Sequence, residues 1–95
     1  MSTDVANILE ERGSRYGDFS RHAAITQDLK GIIQVYLEDG ENFLQADQVE
    51  ALEMICHKIG RIINGDPNYA DSWVDIAGYA KLVADRLELE NANPS

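Results

Sequence analysis

Residues 46–88 read ADQVEALEMICHKIGRIINGDPNYADSWVDIAGYAKLVADRLE, and this stretch decides the fold. The run from Asn64 to Asn68 predicts a tight turn, because Gly65 can adopt the left-handed conformation that ends a helix and Pro67 cannot continue one. On each side of the turn, apolar residues recur at three- and four-residue spacing. The stripes contain Val49, Leu52, Ile55, Cys56, Ile59, Ile62 and Ile63 before the turn, and Trp73, Ile76, Ala80, Val83 and Leu87 after it. We therefore predict helices over residues 46–64 and 70–88 that run antiparallel, because the link between them is short.

Two further helices are predicted upstream of this hairpin. The first begins near Thr3 or Asp4, either of which can cap a helix, and ends at Gly13. The second runs roughly from Ser20 to Glu38, and residues 12–19 form a loop between the two. The first helix carries the apolar residues Val5, Ile8 and Leu9, and the second carries Ile25, Leu29, Ile32, Ile33, Tyr36 and Leu37 on one face. The last four of these are expected to pack partly against another copy of the chain. Strand-like alternation is absent, so we predict an all-α, four-helix fold.

Length and charge limit the classes of protein to consider. The chain has 95 residues, which suffice for one small domain, and we place that domain at residues 1–90 with a disordered polar tail at 91–95. It carries 8 Lys and Arg against 17 Asp and Glu, a formal net charge of −9. This charge has the wrong sign for binding the backbone of a nucleic-acid duplex.

A single cysteine, Cys56, excludes a disulfide framework within the chain, and its place in an apolar stripe predicts a core residue. The first residues lack the basic and apolar segments of a secretory leader, and no stretch has the length and apolarity of a membrane span. These features predict a cytoplasmic protein.

One flank of the 46–64 helix carries four polar residues: Glu50, Glu53, His57 and Arg61. Antiparallel pairing brings together residues whose numbers add to about 133, which places them level with Asp71, Asp75 and Tyr79 of the next helix. One interpretation is a Mg²⁺ or Mn²⁺ site formed by carboxylate oxygens, which these hard cations prefer. The other is a set of ion pairs, Arg61 with Asp71 and His57 or Lys58 with Asp75, that hold the hairpin together.

The segment around residues 12–21 is basic and aromatic, with Arg12, Arg15 and Arg21 inside ten positions of an otherwise acidic chain. These arginines are suited to bind phosphate oxygens while Tyr16 stacks on a base. The alternative is a connector in which Tyr16 and Phe19 only pack. His22 is expected to be an ordinary surface histidine.

Three segments carry a resemblance to known proteins: Arg15-Tyr16-Gly17-Asp18-Phe19, Glu53-x-x-x-His57-Lys58-Ile59-x-Arg61-Ile62 and Ala70-Asp71-Ser72-Trp73-Val74-Asp75-Ile76-Ala77-Gly78-Tyr79-Ala80. They resemble a family of small proteins frequent in phages and prophages, which is itself similar to the MazG-like all-α nucleoside triphosphate pyrophosphatases. The match to the metal motif of that superfamily departs at Ser72 and Val49, where glutamates are usual.

The resemblance implies a four-helix, MazG-like bundle that is completed by a homodimer or homotetramer. It implies a nucleotide-binding protein with the activity of a Mg²⁺- or Mn²⁺-dependent nucleoside triphosphate pyrophosphohydrolase. The residues would be Glu50, Glu53 and Asp75 for the metal, His57 and Asp71 for orienting water, and Arg15, Tyr16, Lys58, Arg61 and Tyr79 for the substrate. The alternative is a non-enzymatic phage accessory protein that binds a host protein or sequesters a nucleotide signal.

Overall fold

Four helices account for most of the chain in a computed structural model that describes residues 2–92, without the side chains of residues 2–4 and 14. They are α1 (Ser2–Tyr16), α2 (Phe19–Asp39), α3 (Ala46–Asn64) and α4 (Ala70–Ala92), and no strand occurs within residues 2–92. The predicted all-α class is confirmed. Helix α4 continues into the segment predicted to be a tail, of which residues 93–95 lie outside the described part. The side chains of the predicted caps Thr3 and Asp4 also lie outside it.

The link between α1 and α2 differs from the predicted loop. Helix α1 passes through Gly13 and ends at Tyr16, so the predicted end at Gly13 is wrong. Gly17 follows with a φ of 81°, and Asp18 then caps α2 by accepting a hydrogen bond from the backbone N–H of Arg21. Gly17, which lacks a Cβ, takes this left-handed conformation at little cost, and the helix therefore ends there.

The Asn64 side chain joins two of the three inter-helix links of the fold, the α1–α2 link and the α3–α4 turn. Its amide nitrogen donates hydrogen bonds to the carbonyl oxygens of Tyr16, at 3.0 Å, and Asp18, at 2.8 Å. The backbone N–H of Asp66 donates to the carbonyl oxygen of Arg15. These bonds hold the end of α1 against the turn between α3 and α4, and so bring the basic segment next to α3.

Helix α3 lies at the centre and contacts the other three helices, whereas α4 contacts only α3 within the described residues. The layer is therefore open, and few apolar side chains are fully covered. Cys56 is buried as predicted, but Trp73 and Ala80, predicted to be buried, are exposed. They are exposed because α4 has no second helix to cover its other face.

The register of the α3–α4 hairpin agrees with the predicted pairing. Lys58 Nζ lies 3.0 Å from an oxygen of Asp75, and Arg86 donates to both carboxylate oxygens of Asp47 at 2.6 and 2.7 Å. In each pair one residue belongs to α3 and the other to α4. None of the helices in the described part has the length and apolar character that crossing a membrane requires.

Candidate functional site: a cleft between α1, α2 and α3

A cleft of about 730 Å³ opens where the end of α1 and the start of α2 meet α3. Its walls combine apolar surface with side chains able to bind anions and ring systems, namely Arg12, Tyr16, His22, Thr26, His57 and Arg61. The volume is in the range that small-molecule ligands occupy. Tyr16 and Arg61 were predicted to bind a substrate, and the fold brings both to this cleft.

His22 is buried on the inner wall of the cleft, with 8% of its surface exposed, so its prediction as a surface residue is wrong. The close approach of α2 to α3 covers it. A Cβ placed on Gly60 of α3 would come within 2.9 Å of His22 Nδ1 and 2.8 Å of Thr26 Oγ1. Thr26 Oγ1 also lies 3.4 Å from His22 Nε2, and His22 Nδ1 has no hydrogen-bond partner among the described groups.

His57 faces the same cleft, and its ring centroid lies 5.9 Å from that of His22. The Lys30 ammonium donates to His57 Nε2 over 3.0 Å, which requires that nitrogen to be unprotonated. Burial and then the Lys30 charge lower the pKa of His57, while burial and then the Arg61 charge lower the pKa of His22. Both imidazoles are therefore neutral at pH 7. The single acceptor of His57 is taken by Lys30, so the group that His57 can offer to a ligand is its Nδ1–H.

Two arginines and two tyrosines form a stacked row beside the cleft. The Arg61 guanidinium lies 4.4 Å from the centre of the Tyr16 ring, and that of Arg15 lies 4.4 Å from the centre of the Tyr69 ring. The two rings meet edge to face, with their centroids 6.2 Å apart. Each guanidinium is held by its face, so its in-plane N–H groups stay available for an anion.

A second, smaller concavity lies next to the cleft and is called here the arginine hollow. It measures about 380 Å³ and is lined by Arg12, Arg15 and Arg61, by the rings of Tyr16 and Tyr69, and by Ile8 and Glu11. Three of its lining residues, Arg12, Tyr16 and Arg61, also line the cleft. The two concavities are therefore adjacent, with these three side chains between them.

The α3–α4 seam, where the metal site was predicted, holds an ion pair instead. The side chain of Lys58 is only 10% exposed and its nitrogen is 3.0 Å from Asp75, whose side chain is 47% exposed. Lys58 therefore contacts Asp75 rather than facing the cleft, in agreement with that part of the ion-pair interpretation. The Arg61–Asp71 pair is not formed among the described side chains, because Arg61 stacks on Tyr16. His57 and Arg61 line the cleft, and neither is paired with Asp75 among the described side chains.

The remaining predicted residues are dispersed. Glu50 is exposed and Glu53 half-buried on α3. Asp71 lies in the first turn of α4, where it hydrogen-bonds Tyr69 and so raises the pKa of that phenol. Tyr79 lines a shallow surface on α4 together with Asp75. Among the described side chains, no group of three His, Cys, Asp or Glu residues can hold a metal ion, so the predicted ligands do not fit Mg²⁺ or Mn²⁺ within one chain.

Sequence reasoning missed three residues of this region: His22, Lys30 and Tyr69. A signal existed for His22, because Gly60 interrupts the apolar stripe of α3 where a partner helix can approach closely. No signal existed for Lys30, since its contact with His57 spans 27 positions and depends on how α2 crosses α3.

The chain matches the family model described as Domain of unknown function (DUF6378) over residues 2–87, and it therefore belongs to that family. Comparison with curated proteins and comparison with solved structures each gave no match. The matched segment includes helices α1 to α3, helix α4 as far as Leu87, the cleft and the arginine hollow.

Proposed function

We propose that this protein binds a nucleotide, with the base in the cleft beside Tyr16, His22 and His57. The observation that carries the proposal is the Arg61–Tyr16 stack at the cleft wall. It places a cation and an aromatic ring together, next to a concavity large enough for a base and sugar. The resemblance to MazG-like proteins supports the same class of ligand.

The electrostatics of the cleft support an anionic ligand with a polar ring. No ion pair joins Arg12 or Arg61 to a carboxylate among the described side chains, although the chain as a whole carries a net charge of −9. A charge-assisted bond to phosphate is stronger than one to a neutral acceptor. The neutral His57 side chain supplies its Nδ1–H as a donor to a base edge, and the buried His22 ring forms part of the wall against which a base can pack.

Binding rather than metal-dependent hydrolysis is what the arrangement of side chains supports. Hydrolysis of the MazG-like kind would need Glu50, Glu53 and Asp75 to converge on a cation, but Asp75 is paired with Lys58. The dispersed carboxylates favour a protein that holds its nucleotide without cleaving it, the sequestering alternative.

We also propose that a second copy of the chain completes the MazG-like bundle. The accessible surface is 7110 Å², whereas a compact monomer of 10.6 kDa exposes about 5,500 Å². The surplus of about 1,600 Å² exceeds the roughly 800 Å² that each partner buries in a standard interface. The exposed apolar residues include Ile32 and Tyr36, one turn apart on α2, as expected for a face that meets another copy.

The experiment that tests nucleotide binding is a panel of the eight common ribo- and deoxyribonucleoside triphosphates with their nucleosides. Thermal shift and calorimetry are recorded with Mg²⁺, with Mn²⁺ and with EDTA. We expect at least one of the triphosphates to bind in EDTA. Arg61→Gln should weaken the affinity for that triphosphate about tenfold or more, because a charge-assisted contact is lost.

Lys81→Gln is the matched control, since it also removes one positive charge but lies on the exposed face of α4. It should leave the affinity within about twofold, because exposed charges act weakly over this separation. Release of pyrophosphate that requires Mg²⁺ would contradict the binding-only proposal. Absence of binding by every member of the panel would overturn nucleotide binding itself.

A further inference from the structure

We propose that the arginine hollow is a polyphosphate subsite, so that the ligand is a nucleoside di- or triphosphate whose base occupies the cleft. This inference rests on the proposed function and adds a separate site to it. Arg15 is the residue that distinguishes the two, because it lines the hollow and not the cleft.

The arginines of the hollow are oriented for phosphate. The Arg15 and Arg61 guanidinium groups are each stacked over a tyrosine ring at 4.4 Å. Stacking fixes the plane of a guanidinium and uses its face, while phosphate oxygens bind to its edge. A ligand therefore does not have to displace these rings, and less side-chain entropy is lost when it binds.

The charge of the hollow suits more than one phosphate group. Among the described side chains, three arginines line it with a single carboxylate, Glu11, whose oxygen lies 4.0 Å from Arg15 Nε. At that separation the contact is an exposed ion pair, which is weak, and Arg15 can turn its remaining N–H groups to a phosphate. An excess of two positive charges matches a diphosphate or triphosphate better than a lone phosphomonoester.

The cleft and the hollow adjoin each other, as the binding sites for the base and the phosphates of one nucleotide must. Arg12, Tyr16 and Arg61 line both, so a ligand that crosses them has its base on one side and its phosphates on the other. The cleft is the larger of the two concavities and the one that holds the neutral histidines. The hollow lacks histidine and holds the additional arginine.

The test compares binding of the nucleoside, its triphosphate and sodium tripolyphosphate to the intact protein by calorimetry in EDTA. The variants are Arg15→Gln, Arg15→Lys and the control Arg21→Gln. Arg21 is exposed, carries the same charge and lies outside both concavities. Arg15→Lys keeps the charge but loses the planar fork that binds phosphate with two bonds.

We expect the wild-type protein to bind the triphosphate at least tenfold tighter than the nucleoside, because the phosphates add about one charge-assisted contact or more. Arg15→Gln should remove most of this gain and weaken the binding of tripolyphosphate. The affinities of Arg15→Lys should lie between those of the wild-type protein and Arg15→Gln. Arg21→Gln should change neither affinity. If Arg15→Gln binds the nucleoside with unchanged affinity, the variant is folded.

Two results separate the subsite from the proposed function. If the nucleoside binds and Arg15→Gln leaves the triphosphate affinity unchanged, the subsite is overturned and nucleotide binding stands. If only tripolyphosphate binds, and Arg15→Gln abolishes this, the phosphate subsite stands and the base cleft is wrong. An equal loss in Arg21→Gln overturns the subsite, because net charge alone would then explain the effect.

Discussion

At the scale of single residues, Asp75 forms an ion pair with Lys58 and so does not take the role of metal ligand that its motif suggests. Lys58 is nearly covered by the α3–α4 hairpin, and a buried ammonium without a counter-ion is costly. Asp75 supplies that counter-ion, and its carboxylate is therefore not available to a metal in the single chain. Two readings of the same seam, a metal site and an ion pair, thus predict different responses to one substitution.

Asp75→Asn should destabilise the protein by about 1–2 kcal/mol, because it leaves the covered Lys58 charge without a partner. The loss is moderate because Asp75 is half-exposed, so water already screens part of the ion pair. Chemical denaturation in EDTA measures this. Asp85→Asn is the matched control, because the Lys81–Asp85 pair is exposed at both ends and should change stability by less than about 0.5 kcal/mol. A metal site would instead give an Asp75→Asn variant of equal or higher stability that no longer responds to Mn²⁺ or Mg²⁺.

At the scale of helices, the crossing of α2 over α3 at Gly60 builds the inner wall of the cleft. Side chains of His22 and Thr26 occupy the space where a Cβ would lie. Glycine is unfavourable inside a helix by about 1 kcal/mol relative to alanine, so its presence here reflects packing and not helix propensity. The orientation of His22 toward the cleft therefore depends on a residue of another helix.

Gly60→Ala should destabilise the protein by about 1–3 kcal/mol despite the gain in helix propensity, because the added methyl group overlaps His22 and Thr26. Gly31→Ala in α2 provides the comparison. Nothing lies within 4 Å of a Cβ at Gly31, so this variant should gain up to about 1 kcal/mol. Thermal unfolding of both variants decides the matter. Stabilisation by both substitutions would mean that α2 and α3 do not cross this closely.

The bounds of α3 and the pairing of α4 with it followed from local features. Gly65 and Pro67 mark the turn, and a short turn leaves one antiparallel register, which the Lys58–Asp75 pair obeys. The end of α1 did not follow, since Gly13 and Gly17 are equally good stops by local criteria. Asn64, 48 positions from Tyr16, holds the backbone at the second of them, and no local pattern contains that bond. The fold class was therefore predictable and the cleft was not.

The whole molecule is extended, with a radius of gyration of 16.6 Å, against about 12 Å for a compact chain of this length. It measures 56 × 29 × 27 Å and exposes large apolar side chains on all four helices. Such a surface is unfavourable in water unless another protein covers it. A second copy is the occupant that we propose.

Light scattering at concentrations from micromolar to several hundred micromolar should give a multiple of the 10.6 kDa chain mass. Tyr36→Glu should shift the protein toward monomer, because it places a charge in the middle of the α2 face. Gln34→Glu adds the same charge on the opposite side of α2 and should leave the assembly unchanged. A monomer at the highest concentration would contradict the second copy and favour an accessory protein that binds a different partner.

The most direct test of nucleotide binding in the cleft uses the two histidines of the chain, His22 and His57, which both line it. Their ring signals are followed by NMR across a pH titration, with and without the triphosphate that the panel selects. In the free protein, burial and neighbouring cations lower the pKa of both rings. We predict that the bound nucleotide moves both ring signals and raises both pKa values, because its phosphates bring negative charge to the site. Ring signals and pKa values unchanged at saturating nucleotide would contradict the account.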